Sequence, residues 1–442
     1  MQKYFHSVEL DADKCCGCTN CLKRCPTEAI RVHDGKARIL KERCIDCGEC
    51  IRICPHRAKR AHSSPLEEIE NYRIKVAIPA PALFGQFSNL DDIDFVLNGL
   101  RAIGFDFIFE VSRAAELVSE VTRQLIRDGK LKKPIISSAC PAVVRLIKIR
   151  FPDLCENVMP VLAPMEIAAR LARQEVKKQT GLDDSEIGVF FITPCPAKVT
   201  EITSPTTGEK SACNGAIAIS KIYPQLTHAM DKLKVLDPIA NSGLIGVGWA
   251  TSGGESAAML GDKYLAADGI ENVIRVLEGL EDDKIRDVDF VELNACSGGC
   301  VGGVLTVENP YVAQARIHNL RKYLPVSLNH LSSDDIADFM WTGELEFNGE
   351  GFRLDEDIFK AMDKMEQMEK IVAGLPGLDC GSCGSDLPCY GRRHRKRCRK
   401  RNRLHPQAQR TYTQCLRPIE KYFVEQYKRS VYYECYTSCR KT

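Results

Sequence analysis

The sequence predicts an α/β protein whose large body is built on mainly parallel sheets, with a small α+β domain ahead of it. Six short apolar runs predict buried strands, and amphipathic stretches of helical period lie between several of them. This alternation is typical of parallel sheets, whose sites lie at the carboxyl ends of the strands. A third observation separates the N-terminal segment, because eight cysteines form two regular runs before residue 56.

The composition is that of a globular protein with an unusual number of cysteines. The chain has 442 residues, enough for two to four domains, and no apolar run approaches the length of a membrane span. The N-terminus lacks the hydrophobic stretch of a signal peptide, so we expect a cytoplasmic protein without a membrane partner. The 22 cysteines come in metal-ligand spacings, which favours metal sites over disulfides.

The first domain, residues 1–62, is predicted from two cysteine runs of equal spacing. Residues 15–26 read CCGCTNCLKRCP and residues 44–55 read CIDCGECIRICP, and each contains C-x2-C-x2-C-x3-C-P. The pattern resembles the bacterial ferredoxin run, in which the fourth cysteine of each motif binds the other cluster. Paired zinc sites are the alternative, and the repeated Cys-Pro ending argues against them. The resemblance implies two [4Fe-4S] clusters that relay electrons, one on Cys15, Cys18, Cys21 and Cys54, the other on Cys44, Cys47, Cys50 and Cys25.

The predicted body, residues 72–365, follows a polar linker at 56–71. Helical patterns are predicted at 114–129, 165–179 and 355–371. The apolar runs that predict strands cover residues 73–80, 105–110, 133–139, 187–193, 215–220 and 289–295.

Three predicted strands end at cysteines. The stretch 289–303, DFVELNACSGGCVGG, leads from a strand into Cys296 and Cys300, and glycines there let the backbone approach a bulky metal cluster. Cys140 and Cys195 follow two other predicted strands. Since strands of a parallel sheet end at the same edge, these loops predict one site fed by all four thiols.

Three motifs resemble those of the iron-only, or [FeFe], hydrogenases: SSACPAVV (137–144), TPCPAKVTE (193–201) and VELNACSGGCVGG (291–303). The resemblance implies a body of two lobes around an H-cluster, in which a [4Fe-4S] cube is joined to a diiron unit bearing CO and cyanide. By this resemblance Cys140, Cys195, Cys296 and Cys300 bind the cube, and Cys300 bridges to the diiron unit. Lys198 matches the lysine that holds a cyanide, and Glu201 matches the acid that follows it.

The sequence also departs from that family at the expected cofactor. Ala139 stands where fully active members have the cysteine that transfers protons, and a methyl group cannot relay a proton. Thr193 and Asn294 replace two methionines that line the diiron pocket. Glu116 and Glu120 lie where the acids of the family's proton path are expected. These changes resemble the sensory branches of the family, so we expect slow turnover.

Three functions are compatible with these motifs. The first is an [FeFe] hydrogenase of the ferredoxin hydrogenase type, an enzyme that oxidises H2 and reduces protons reversibly and slowly. Its expected partners are ferredoxin or a similar electron carrier and the diiron maturation proteins. The second is a sensor of hydrogen or redox state that signals to a separate partner protein. The third is a hydrogenase-like iron–sulfur assembly factor without the diiron unit.

The C-terminal part has a different composition. Residues 374–389 resemble the start of a further [4Fe-4S] domain, in which Cys380 and Cys383 fit the family pattern and the rest is incomplete. The tail at 390–442 is basic: residues 385–442 hold 16 Lys and Arg against 4 Asp and Glu. A nucleic-acid-binding arm is one interpretation. We favour a one-base frameshift near Gly384, since shifting the frame can turn the basic run into an acidic helical sequence, and we expect no nucleic-acid partner.

Overall fold

The structure is a computed structural model that describes residues 5–328, 336–341, 343, 345, 355 and 357–373. The predictions for 374–389, with Cys380 and Cys383, and for the tail at 390–442 lie outside the described residues. The described residues form two compact units. The first contains 5–15, 24–29 and those from 39 to 345, and the second contains 16–23, 30–38 and those from 355 to 373.

The described strands are short, and most belong to the first unit. In chain order they are β1 (Val8–Leu10), β2 (Ile30–His33), β3 (Lys36–Ile39), β4 (Lys59–Ala61), β5 (Ile74–Pro79), β6 (Phe107–Ile108), β7 (Ile135–Ile136), β8 (Ile187–Thr193), β9 (Gly215–Ala218), β10 (Tyr264–Asp268) and β11 (Phe290–Asn294).

The described helices include several of three turns or more. In chain order they are α1 (Asn20–Lys23), α2 (Glu49–Arg52), α3 (Asp94–Ala102), α4 (Val111–Asp128), α5 (Pro141–Arg150), α6 (Pro164–Thr180), α7 (Pro196–Thr203), α8 (Ile219–Met230), α9 (Leu244–Gly248), α10 (Gly254–Ala258), α11 (Ile270–Glu281), α12 (Pro310–Leu320) and α13 (Ile358–Ala373).

A four-stranded sheet of order β6-β5-β8-β9 forms one lobe of the first unit, and all its pairs are parallel. Both of its faces are covered: Val76 and Ile78 of β5 pack on the side of α4 and α6, while Ala77 packs on the side of α3 and α8. Every residue of β8 is consequently buried. Continuous apolar strands are what a parallel sheet covered by helices on both faces requires.

A three-stranded parallel sheet of order β10-β11-β7 forms the other lobe. Phe290 of β11 packs into the core that contains α4 and α6, and Val291 packs with α5 and α11 on the opposite face. The prediction of an α/β body with mainly parallel sheets is confirmed. The six predicted strands all occur, although 105–110 reduces to Phe107–Ile108 and 133–139 to Ile135–Ile136. Strand β10 was not predicted because its run YLAAD is short and only partly buried.

The N-terminal segment of the first unit contains an antiparallel pair, β1 with β4, in which Val8 lies opposite Ala61. In the second unit, β2 and the following strand form a two-stranded sheet around Asp34 and Gly35, which both have positive φ. A Cβ on Gly17, at φ +70°, would lie 2.6 Å from the carbonyl oxygen of Gly35, so that approach requires glycine. Among the described residues, no helix combines the length and apolarity needed to cross a membrane.

Candidate metal centre

Cys140 and Cys195 lie at equivalent junctions between a strand and a helix. Cys140 is the N-cap residue of α5 and Cys195 is the N-cap residue of α7, and a proline occupies the first turn of each helix. Proline suits that position because its missing N–H would have no partner inside the helix. Each thiol therefore lies at a helix N-terminus, where exposed N–H groups and the helix dipole stabilise a thiolate.

Cys296 and Cys300 lie in the turn after β11, and Cys300 begins a 3-10 helix at Cys300–Gly302. The turn is fixed by backbone hydrogen bonds, from Ser252 N to Gly298 O at 3.1 Å and from Val301 N to Ala250 O at 3.0 Å. A Cβ on Gly299, at φ +86°, would overlap the backbone of residues 251 and 252. The sequence predicted that glycines here let the backbone approach a metal cluster. The described contacts show that Gly299 also lets two backbone segments approach each other.

The four thiols of Cys140, Cys195, Cys296 and Cys300 interact electrostatically with one another. Burial, reinforced by the charge of Cys140, raises the pKa of the Cys195 thiol to about 11 and that of Cys300 to about 12. Burial and the charges of Cys195 and Cys140 raise the pKa of Cys296 well above its usual value. The side chain of Cys300 keeps an exposed surface, but the atoms around it still limit its hydration.

This donor set fits an iron–sulfur cluster. An Fe–S cube is bound by four cysteine thiolates, and this site offers four such soft sulfur ligands from three loops. Thiolates that repel one another and are poorly hydrated need a cationic partner, which iron supplies on binding. The structure therefore brings together the four cysteines that the sequence predicted for one site.

A second set of thiols lies in the same unit. The pKa of Cys47 is raised well above its usual value by burial, with smaller contributions from the charges of Cys25 and Cys50. Burial likewise raises the pKa of Cys44, followed by the charges of Asp46, Cys50 and Cys25. These four cysteines match the ligand set predicted for one ferredoxin-type cluster. Of the other predicted set, Cys15 and Cys54 belong to the first unit, and Cys18 and Cys21 belong to the second.

Lys198 lies beside the loop that carries Cys140. Its ammonium donates a hydrogen bond from Nζ to the carbonyl oxygen of Ala139 at 2.9 Å. The positive charge of Lys198 lowers the pKa values of Cys195 and Cys300 against the larger effect of burial. A cation is thus held at the backbone of Ala139, beside the thiols of Cys195 and Cys300.

The two polar residues that replace methionines make hydrogen bonds to neighbouring protein groups. Thr193 is fully buried, and its Oγ1 accepts a hydrogen bond from the backbone N of Cys195 at 3.1 Å. Asn294 donates from Nδ2 to Glu292 Oε1 at 2.7 Å. Both side chains therefore support the local backbone or a buried acid.

Glu201, on α7, is part of a polar network that includes Arg145 of α5. It accepts hydrogen bonds from Arg145 Nη2 at 2.7 Å, from Thr206 N at 2.8 Å and from Thr206 Oγ1 at 2.6 Å. Arg145 also lies 3.6 Å from Asp46, which is fully buried and accepts from Thr200 Oγ1 at 2.9 Å. Glu201 thus connects α7 to α5, and Asp46 extends the network to the segment that carries Cys44 and Cys47.

The two acids expected on the family's proton path lie on α4, at different depths. Glu116 is buried and accepts hydrogen bonds from Gly243 N at 2.7 Å and from the Ser327 hydroxyl. Glu120 is exposed. Glu116 therefore anchors the start of α9, and neither acid has a described hydrogen bond to the loops that carry the four cysteines.

Sequence reasoning missed a pair of buried acids beside Ala139. Ser137 Oγ donates to the Glu255 carboxylate, at 2.8 Å from Oε1 and 2.7 Å from Oε2, and accepts from Ala139 N at 3.2 Å. Glu292, on β11, accepts from Gly253 N at 2.9 Å and Ser256 N at 2.8 Å. One signal was available in the sequence, because an acid in the apolar run FVEL must find buried partners.

Both acids of this pair favour the protonated form. Burial, followed by the negative charge of Glu292, raises the pKa of Glu255 well above its usual value. Burial also raises the pKa of Glu292, while hydrogen bonds from Ser256, Gly253 and Asn294 oppose that shift. Two buried carboxyl groups close together cannot both ionise without a large electrostatic cost, so the pair retains a proton to a higher pH than a single exposed acid.

Comparison with known proteins identifies the class of this fold and cysteine site. Residues 73–222 and 251–304 match the family described as the iron only hydrogenase large subunit, C-terminal domain. Residues 7–55 match the family described as a 4Fe-4S dicluster domain. The α/β body therefore contains a domain of the iron-only hydrogenase family, and an iron–sulfur dicluster domain precedes it.

Individual relatives are distant. Iron hydrogenase 1 of Clostridium pasteurianum is 24% identical over 270 residues, which cover 50% of this chain and 46% of that protein. This match therefore spans about half the length of the relative. The periplasmic [Fe] hydrogenase large subunit of Nitratidesulfovibrio vulgaris is 27% identical, with 67% of this chain and 86% of that protein covered. A solved [FeFe]-hydrogenase of Chlamydomonas reinhardtii aligns at 15% identity and a TM-score of 0.48, covering 65% and 97%.

Proposed function

We propose that this protein is a slow [FeFe] hydrogenase, which oxidises H2 and reduces protons reversibly at an H-cluster held by Cys140, Cys195, Cys296 and Cys300. Electrons pass to and from that site through two [4Fe-4S] clusters of the N-terminal segment. A ferredoxin or similar carrier exchanges them with the protein, and the diiron maturation proteins complete the cofactor.

One observation carries the proposal. Four mutually repelling thiols from three loops converge beside the ammonium of Lys198, in a chain that contains a domain of the iron-only hydrogenase family. An assembly factor that holds only a cube has no evident need for a cation next to its ligands. Lys198 instead provides a donor for an anionic group, such as the cyanide that the family resemblance predicts.

When bound, the diiron unit supplies the open metal position at which hydrogen is split. The protein must then exclude water, position charge and supply protons. Lys198 is held toward the site by its hydrogen bond to the Ala139 carbonyl. Ala139 itself provides only a methyl group, so the direct proton donor found in fast family members is absent.

The pair Glu255 and Glu292 offers a substitute store for that proton. The Ser137 hydroxyl links the Glu255 carboxyl to the loop of Ala139, because it donates to Glu255 and accepts from the Ala139 N–H. Burial and the charge of Glu292 raise the pKa of Glu255, and an acid with a raised pKa keeps its proton to a higher pH, where it can serve as a donor. A proton store one side chain removed from residue 139 is expected to deliver protons more slowly than a thiol at residue 139 itself, which fits slow turnover.

A sensor of hydrogen is the second candidate, and Ala139 favours it. A site that binds hydrogen but passes protons slowly spends more time in each state, which suits a protein that reports occupancy to a separate partner. In a sensor, hydrogen changes the infrared spectrum of the cofactor while turnover stays low. In an enzyme, turnover rises with hydrogen and with an electron acceptor.

Infrared spectroscopy tests the cofactor directly. Full-length protein co-produced with the diiron maturation enzymes is expected to show bands of metal-bound CO and cyanide. A Lys198→Ala variant is expected to alter or lose the cyanide bands, since the ammonium of Lys198 is the proposed partner of that ligand. Lys178→Ala, on the exposed end of α6, is the matched control and should leave the spectrum unchanged.

The outcomes separate the three functions. Protein that contains iron–sulfur cubes but no such bands would reject both hydrogen functions and support the assembly-factor interpretation. Bands together with turnover as fast as that of efficient hydrogenases would reject both the sensor and the proposed slowness.

A further inference from the structure

The two described cysteine sets of the first unit are joined through a small area around α2. Cys47 packs against the same hydrophobic cluster as Cys140 and Cys195. A Cβ on Gly48 would lie 2.6 Å from the side chain of Val304, which follows the Cys300 turn. Electrons that pass between the two sets are therefore expected to cross this contact.

Arg52, the last residue of α2, connects the two sets. Its Nη2 donates a hydrogen bond to Gly302 O at 2.7 Å, at the end of the Cys300–Gly302 turn. Gly302 lies two residues after Cys300, so this hydrogen bond holds the guanidinium at the turn that carries Cys296 and Cys300. The guanidinium thus acts on the set that contains Cys296 although it belongs to the helix that follows Cys47.

Glu49, in the first turn of α2, carries the opposite charge. Its Oε1 accepts a hydrogen bond from Arg52 Nε at 3.1 Å, and its side chain is 12% exposed. Glu49 lies between Cys47 and Cys50 in the sequence, so its carboxylate belongs to the segment that carries those thiols. The negative end of the ion pair therefore lies on the segment of Cys47, and the positive end is bonded to the turn that carries Cys296 and Cys300.

We propose that Glu49 and Arg52 set the difference in reduction potential between the two clusters, so that an electron favours the cluster on Cys296 over the cluster on Cys47. Reduction adds a negative charge to a cluster. A nearby carboxylate opposes that charge and a nearby guanidinium stabilises it, so the potential falls at Cys47 and rises at Cys296. The pair thereby biases electron flow toward the predicted hydrogen site.

The effect has a defined dependence on salt. The side chain of Arg52 is 36% exposed, so dissolved ions screen it more than they screen Glu49. The shift caused by Arg52 is consequently expected to shrink as ionic strength rises, with the shift caused by Glu49 changing less.

Potentiometric titration followed by electron paramagnetic resonance tests the pair in the full-length, cluster-containing protein. Arg52→Gln is expected to lower the potential of the cluster on Cys296, and Glu49→Gln to raise that of the cluster on Cys47. Each substitution is expected to reduce the difference in reduction potential between the two clusters, and the double variant is expected to reduce it most. Glu49→Gln leaves the backbone N–H in place, so it isolates the effect of the carboxylate.

Two further variants separate charge from position. Arg52→Lys keeps the positive charge and is expected to keep the wild-type potentials; a loss equal to that of Arg52→Gln would overturn the electrostatic role. Arg286→Gln removes a cation from an exposed pair with Asp283 and should change neither potential. Equal shifts of both clusters in Arg52→Gln, or no shift, would also overturn the proposal.

This inference rests on the proposed cluster ligands and is independent of hydrogen turnover. The reduction potentials can be measured in protein without the diiron unit. Absence of the CO and cyanide infrared bands would therefore reject the proposed function, while the potentiometric titration would still test the ion pair.

Discussion

Two buried or half-buried acids lie near the loop of Cys140, and their carboxyl groups have different hydrogen-bond partners and neighbouring charges. Glu201 is paired with the Arg145 guanidinium and receives two further hydrogen bonds from Thr206. Glu255 receives its described hydrogen bonds from one hydroxyl, that of Ser137, and lies near a second buried acid, Glu292. The first arrangement ties Glu201 into a network of donors, and the second raises the pKa of Glu255 through burial and the charge of Glu292.

This comparison shows that a residue's place in a family motif does not by itself indicate what the residue does. Glu201 was predicted as a site residue because it follows Lys198 in a family motif, yet its contacts connect α7 to α5. Glu255 lies outside the motifs that suggested the function, yet it lies one hydroxyl from Ala139. An acid that holds structure needs cationic or N–H partners, whereas an acid that stores a proton needs burial and a like charge.

The largest expected effect, on the free energy of unfolding, comes from removing the Arg145 cation that pairs with Glu201 and Asp46. Arg145→Met leaves the fully buried Asp46 and the half-buried Glu201 without their cation. Removing one partner of a buried ion pair costs about 3–5 kcal/mol. We expect the free energy of unfolding to fall by about that amount, which denaturant titration of the purified chain would measure.

A matched control removes an exposed cation. Arg286→Met breaks an ion pair whose partners are 72% and 79% exposed, and such pairs contribute about 0–1 kcal/mol. If Arg145→Met were as mild as this control, the structural role of Glu201 would be wrong. Glu201→Gln sharpens the test, because a proton-transfer role would change the pH profile of turnover as well as stability.

The second effect concerns Ala139. Ala139→Cys restores a thiol without changing the backbone carbonyl that accepts from Lys198, and a positioned proton donor typically contributes about 10²–10⁴-fold to a rate. We expect hydrogen production to rise toward the lower end of that range. Ala139→Ser adds a group of similar size whose hydroxyl titrates far from neutral pH, so it should give little gain.

A combined variant relates this change to Glu255. If the new thiol takes over proton supply, Glu255→Gln should slow the Ala139→Cys protein less than it slows the parent, as a double-mutant cycle would reveal. Equal losses in both backgrounds would mean that Glu255 does not supply the proton that the thiol replaces.

Much of the fold and of the cysteine site follows from local sequence. Apolar runs predicted β5, β8 and β11 because strands covered on both faces are largely apolar. Cys140 and Cys195 were placed at strand ends for the same reason. The shared layout of the loops then linked them to Cys296 and Cys300, and the family motifs added Lys198.

Other features depend on contacts between distant segments and have no local pattern. Glu255 and Glu292 are 37 residues apart in the sequence, and burial of both beside Ser137 arises only when α10 packs against β11. Arg52 meets Gly302 across 250 residues. In sequence each is an ordinary charged residue, and its surroundings alone decide what it does.

The smallest expected effect is a change in how stability depends on pH. Because the pKa of Glu255 is raised on folding, the folded protein binds more protons than the unfolded chain at pH values between the two pKa values. The stabilising contribution is therefore complete below the unfolded pKa and is lost as pH rises toward the folded one. Glu255→Gln keeps a neutral group in that place, so the variant should gain stability relative to the parent as pH rises from 5 to 8. Melting temperatures across that range would measure the gain, with the half-exposed Glu278→Gln as control; a difference that stays constant with pH would show that Glu255 is ionised throughout and stores no proton.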